Sequence, residues 1–163
     1  MAATARIKPS LALDEFDLAI LSVLQEDNRT PQHEVGARVH LSAAAVQRRI
    51  RRMEACGVIR ANAAIVDPAK VGRPITIIVG VQIDSERADL LDATRDELAS
   101  APEVQQCYYV TGDVDFFLVV TASDMSEYEE ISRRLFRQNK NIKRFSTYVA
   151  MNCVKSTLSV PLR

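Results

Sequence analysis

Apolar residues recur every three or four positions between Asp14 and Gln25, where Phe16, Ile20, Val23 and Leu24 fall on one side of a 3.6-residue repeat. That spacing predicts a first helix, with Asp14, Glu15 and Asp17 in the turn where negative charge favours a helix N-terminus. Glu26 to Arg29 is a polar break. Thr30-Pro31 then reads as a helix start, with threonine as the cap and proline at the first helical position, and a second helix runs to about Val39. After the short turn His40-Leu41, Ser42 caps a third helix in which Val46, Ile50 and Met53 share one face. Ala44, Arg48, Arg51 and Arg52 turn to the other face, and Gly57 closes the helix. Val58 to Val66 has the composition of a strand. The breaks at Asp67-Pro68 and Val71 to Pro74 place a domain boundary between Asp67 and Pro74.

Beyond that boundary the period drops to two. Ile75, Ile77, Val79, Val81 and Ile83 line one face of a strand. Ser85 is the expected cap of a helix ending near Ser100, stopped by Ala101-Pro102. Val104 to Thr111 and Asp115 to Thr121 are strands joined through Gly112-Asp113 as a hairpin. Asp124 caps a helix with Met125, Tyr128, Ile131 and Leu135 on one side, and Lys143 to Lys155 reads as a final strand. The order is three helices, then β-α-β-β-α-β, which is the split-βαβ, ferredoxin-like arrangement in an α+β protein. The first and third of these strands are apolar on both faces, as in Ile77-Ile78-Val79 and Phe116-Phe117-Leu118. Two helices cover only one face of a four-stranded sheet, so the other face needs a partner.

Charge sharpens this reading. The 163 residues carry no net charge, but residues 1–66 hold nine Lys and Arg against seven Asp and Glu, while residues 67–163 hold twelve against fourteen. Arg48, Arg49, Arg51 and Arg52 sit together with no acid four residues away to pair them. Two short helices joined by a tight turn, the second bearing a polar outward face, describe a helix-turn-helix whose second helix enters the DNA major groove. The side chains suit that role. Gln47 can bond adenine and Arg48, Arg51 or Arg52 guanine. Ser42 at a helix N-terminus can hold a phosphate, and Ala43 and Ala44 let the helix approach closely. Zero net charge predicts modest, steeply salt-dependent nonspecific DNA affinity.

The rest of the composition excludes more than it suggests. No apolar run approaches the length that crosses a bilayer, and residues 1–12 lack the apolar core of a signal peptide. They read as a disordered arm on a cytoplasmic protein. Cys56, Cys107 and Cys153 are odd in number and far apart, so they predict reduced thiols in core or interface positions and no metal site. His33 and His40 have no carboxylate partner arranged with them, and no nucleophile motif, phosphate loop or paired catalytic carboxylates occur, so an enzyme is not expected.

The residues Leu13-Asp14-x-x-Asp17-x-x-Ile20-Leu21, Leu24-Gln25, Arg29, Leu41-Ser42-x-x-x-Val46-x-x-Arg49-Ile50-x-Arg52-Met53-Glu54-x-x-Gly57-Val58-Ile59 resemble the Lrp/AsnC (leucine-responsive, feast/famine) regulators. Asp67-Pro68, Gly72, Val110-Thr111-Gly112-Asp113-x-Asp115, Asp124-Met125, Tyr128 and Val154-Lys155-Ser156-Thr157 continue the likeness over residues 13 to 162. The resemblance implies an N-terminal winged helix-turn-helix over residues 13–60, a hinge strand and linker over 61–74, and a C-terminal ferredoxin-like (RAM/ACT-like) domain over 75–163. That last domain would sense a ligand and pair subunits into dimers, with further assembly into tetramers or octamers. It also implies an amino-acid effector near the Gly-Asp turn, with Thr111, Gly112, Asp113 and Asp115 as contacts, and no cofactor. Ala43-Ala44-Ala45 and Val114 depart from common family residues, which leaves the operator and the effector open. Two other readings compete with a regulator that responds to an effector. One is an architectural DNA-organising protein indifferent to amino acids. The other is an enzyme resembling siroheme decarboxylases, against which stands the lack of any histidine after His40.

Overall fold

The computed structural model describes residues 12–162, so the arm expected over residues 1–12 falls, except for Ala12, outside the described residues. The chain divides into two units, one running to Ala64 and including the chain end from Ser156, the other Ile65–Lys155. The Gln25 side chain donates to the Val160 carbonyl at 3.0 Å and accepts from the Val160 N–H at 2.7 Å.

In the first unit, α1 (Glu15–Glu26), α2 (Gln32–Val39) and α3 (Ala43–Ala55) enclose a small core. Ile20, Val23, Val35, Val39, Val46 and Met53 are its buried members. Asp14 caps α1 in a reciprocal capping box with Asp17. Pro31 occupies the cap position of α2 instead of its first turn, and the Thr30 hydroxyl donates to the Asp27 carbonyl at 2.8 Å. Gly57, at φ 77°, ends α3 with the Val58 N–H returning to the Met53 carbonyl at 2.9 Å.

The second unit is a four-stranded antiparallel sheet of β1 (Ile75–Ile83), β2 (Val104–Tyr109), β3 (Phe116–Ala122) and β4 (Ile142–Val149) in the order β2-β3-β1-β4. Helices α4 (Ala88–Ser100) and α5 (Met125–Ser132) complete the ferredoxin-like order, and a π-helical turn, Arg133–Arg137, extends α5. One sheet face is covered. Ile77, Val79, Val81, Phe116, Leu118 and Val120 are fully buried against Leu98, Ile131, Leu135 and Phe136. Each such side chain contributes about 1.5–3 kcal/mol through its removal from water. The opposite face carries Ile78, Tyr108, Phe117 and Tyr148, between 40% and 58% exposed in the single chain.

Several expectations change. Residues 58–66 form no strand, and Ile65 is 89% exposed. Apolar composition alone does not make a strand where no neighbouring strand takes the backbone hydrogen bonds. The last strand stops at Val149, not Lys155. Its partner β1 begins at Ile75, and the final bond runs from the Ala150 N–H to the Thr76 carbonyl. Helix α4 starts at Ala88, not beside Ser85, whose N–H is held by the Asn141 side chain at 3.1 Å. Among the cysteines, Cys107 packs on the core, where burial pushes its thiol up, whereas Cys153 is exposed and fills no core position.

Candidate nucleic-acid interface and effector loop

Helices α2 and α3 meet through a turn that one glycine makes possible. A β-carbon on Gly36 would lie 2.4 Å from the Leu41 carbonyl oxygen. The Gly36 carbonyl in turn accepts from the Leu41 N–H at 2.9 Å, and His40 adopts the left-handed conformation, φ 57°, that reverses the chain. Ser42 then starts α3, its hydroxyl oxygen accepting from the Ala45 N–H at 3.2 Å. Its own O–H stays available to donate to a phosphate.

Along α3 the arginines divide. Arg48 and Arg51 are exposed and make no ion pair, and with Ala44 they fall on one face at the i, i+4, i+7 spacing. Ser42, Ala43 and Ala44 are exposed as well, and Gln47 is half-buried. Arg49 and Arg52 are not the unpaired cations that α3 alone suggests. Arg49 reaches Asp14 and Asp17 of α1, both at 2.8 Å, and lies 5.5 Å above the Phe16 ring. Arg52 closes on the other Asp17 oxygen at 2.5 Å while its side chain stays 44% exposed. The Asp14 carboxyl is held below its usual range by the Asp17 N–H first and the Arg49 guanidinium second. Acids from a different helix supply the pairing, and the matching i, i+3 intervals of Asp14/Asp17 and Arg49/Arg52 are the sequence signal for it.

In the second unit, the hairpin between β2 and β3 presents Thr111, Gly112 and Asp113 to solvent. Gly112 sits at φ 136°, a conformation that disfavours any side chain, although the space around it is open. The Gln82 side chain donates to the Asp113 carbonyl, which ties the loop to β1. Val114 folds over Gly80, where an added β-carbon would meet it at 3.3 Å. Asp115 is placed differently from Asp113. One carboxylate oxygen accepts from the Ile83 N–H at 2.8 Å, and its own N–H donates to the Val81 carbonyl at 2.8 Å. It therefore anchors the loop to β1, while Asp113 is the exposed carboxylate. No group of three or more His, Cys, Asp or Glu among the described residues could hold a metal ion.

Comparison with known proteins agrees with this geometry. Residues 13–54 match the AsnC-type helix-turn-helix domain, and residues 76–160 match the Lrp/AsnC ligand binding domain. An HTH-type transcriptional regulator of Sinorhizobium fredii is 47% identical over 94% of this chain and 90% of its own length. The glutamate uptake regulatory protein of Zymomonas mobilis is 34% identical over 92% and 91%. Among solved structures, an AsnC family transcriptional regulator from Agrobacterium tumefaciens superimposes with a TM-score of 0.86 at 33% identity, over 92% of this chain and 97% of that one. A Neisseria meningitidis transcriptional regulator, solved as its L-Met complex, gives 0.85 at 28% identity over 92% and 97%. With both halves of the chain matched and the recognition helix, four-stranded sheet and Gly-Asp hairpin in place, the chain belongs to the Lrp/AsnC family of helix-turn-helix transcriptional regulators.

Proposed function

We propose that this regulator reads duplex DNA through α3 and that a free amino acid, bound at the hairpin Thr111 to Asp115, changes its DNA binding or its assembly. The division of the arginines carries the reading. Arg48 and Arg51 stand exposed and unpaired, while Arg49 and Arg52 fix the same helix to α1. Gln47, Arg48 and Arg51 read bases; Ser42 and the helix start hold a phosphate, with Ala43 and Ala44 permitting close approach. Arg52, half-exposed beyond its ion pair, adds a phosphate contact. At the hairpin, Asp113 and the backbone of Thr111 and Gly112 take the ammonium and carboxylate of the effector, with Asp115 holding the loop in place. The L-Met complex of the Neisseria relative supports an amino-acid effector.

The subunits associate as a homodimer through the open sheet face bearing Ile78, Phe117 and Tyr148, and dimers assemble into tetramers or octamers. An apolar surface of this kind is costly to leave in water. No helix among the described residues is long and apolar enough to cross a membrane, and we place the protein in the cytoplasm as a regulator without enzymatic activity.

A thermal-shift screen of the purified protein against the twenty amino acids, with light scattering on each hit, tests this reading. Stabilisation by one or a few amino acids, reduced in Asp113→Ala while the mass is kept, is the expected result. No shift with any of them would favour an architectural DNA-organising protein instead.

A further inference from the structure

The second unit carries a concentration of positive charge that the hairpin does not use. Residues 133–144 contain Arg133, Arg134, Arg137, Lys140, Lys143 and Arg144 and no acid. The remainder of residues 67–163 holds six basic and fourteen acidic residues, so this segment opposes the charge of its own domain. Like charges packed this densely repel one another unless a partner compensates them.

The other arginines of the unit have found partners. Arg73 holds Glu127, Arg87 holds Asp89, Arg95 holds Asp92 and Arg134 holds Glu103. Arg133, Arg137, Lys140, Lys143 and Arg144 are exposed, and no ion pair is formed by any of them among the described residues. Arg137, Lys143 and Arg144 line one open depression, and Arg134 and Lys140 line its neighbour.

The support beneath them is rigid. Leu135 and Phe136 of the π-helical turn are each 1% exposed, and Phe136 packs on Phe145 with ring centroids 5.0 Å apart. Asn139 is tied to Glu97 at 2.6 Å, and the Asn141 side chain bonds Thr94 and Ser85, each at 3.2 Å. The backbone that displays these cations is thus held in place before any partner binds. No large apolar side chain is exposed between Arg133 and Arg144, which disfavours a surface that inserts into lipid. Guanidinium and ammonium groups without exposed aromatics suit phosphates and not base edges.

We propose that Arg133, Arg137, Lys140, Lys143 and Arg144 form a second DNA contact, a surface of the sheet domain that grips the phosphate backbone of duplex DNA independently of the recognition helix. This rests on the DNA-binding reading of α3 and extends it to the domain that senses the effector.

The test is the salt dependence of full-length protein on random-sequence duplex, read by fluorescence anisotropy. Each phosphate contact contributes about 0.9 to the slope of log affinity against log salt. Arg137→Gln/Lys140→Gln/Lys143→Gln should lower that slope by about 2–3 with the light-scattering mass unchanged. An unchanged slope would overturn the proposal. So would a changed mass, which would make the patch a contact between copies. Arg48→Ala/Arg51→Ala separates the two readings. It should lose preference for a specific site yet keep a residual slope that the triple change removes. If it binds as the parent does while the triple variant is impaired, the recognition-helix reading fails and the patch stands as the principal contact. Without any substitution, added duplex should protect Lys140 and Lys143 from acetylation but not Lys70; equal rates at all three would contradict the proposal.

Discussion

Arg49 of α3 lies 2.8 Å from an oxygen of Asp17 on α1, and the Asp17 side chain is completely buried. Arg52 takes the second Asp17 oxygen, so one carboxylate fixes two successive turns of the recognition helix. Removing this buried carboxylate leaves Arg52 without its partner and Arg49 with Asp14 alone. Asp17→Ala should therefore lower stability by about 3 kcal/mol, measured as the shift of a urea unfolding midpoint. A midpoint within experimental error of the parent would show that apolar packing alone holds α3 in place.

The turn between α2 and α3 depends on the absence of a side chain at Gly36. The obstacle to a β-carbon there is the Leu41 backbone oxygen at 2.4 Å, which cannot rotate aside. Gly36→Ala should cost about 2 kcal/mol or more and weaken DNA binding by reorienting α3. Circular dichroism melts and mobility shifts on the same preparation check this, and an unaltered melt would mean that the turn absorbs the methyl group.

Acid should weaken the second unit through Glu127. Its carboxyl is drawn from 4.5 down to about 2, first by the Ser123 N–H, then by the Ser123 hydroxyl and the Arg73 guanidinium. Because the folded value lies below the unfolded one, the stabilisation is complete above pH 4.5. It is lost as pH falls through about 2. Glu127→Gln should lower stability at neutral pH and flatten the acid limb across that window, with the part belonging to Asp14 retained. Parallel stability–pH curves for parent and variant would remove Glu127 as the cause.

The arginines of α3 should respond to substitution in two ways. Arg48→Ala and Arg51→Ala should each weaken specific DNA binding by about 10- to 100-fold, the range for a lost base contact, with the melting temperature and oligomer mass kept. Arg49→Ala should instead lower the melting temperature. Loss of assembly in the Arg48 or Arg51 variant would mean that this face contacts protein and not DNA.

The elements were legible wherever a periodic pattern coincided with local chemistry. Ser42 and Asp124 cap the helices that their side chains suggest, and Ile77, Val79 and Val81 bury the face that their alternation marks. Reading failed where the deciding partner was distant in the chain. Val58–Val66 looks like a strand by composition but pairs with no other strand of its own chain. Lys143–Lys155 looks like one strand, yet pairing stops where β1 begins. Asp113 and Asp115 look equivalent on one turn, and only the position of the Ile83 N–H makes one an anchor and leaves the other exposed.

By itself, then, the sequence determined the helix-turn-helix, the β-α-β-β-α-β order, the basic outer face of α3 and the family, because each is set by periodicity, capping or residue spacing within a short stretch of chain. The tertiary structure alone decided which arginines are free. Asp14 and Asp17 lie more than thirty residues before Arg49 and Arg52. A charge is committed or available according to the carboxylate that folding brings within about 3 Å of it, and the spacing of α3 alone does not show which arginines find one.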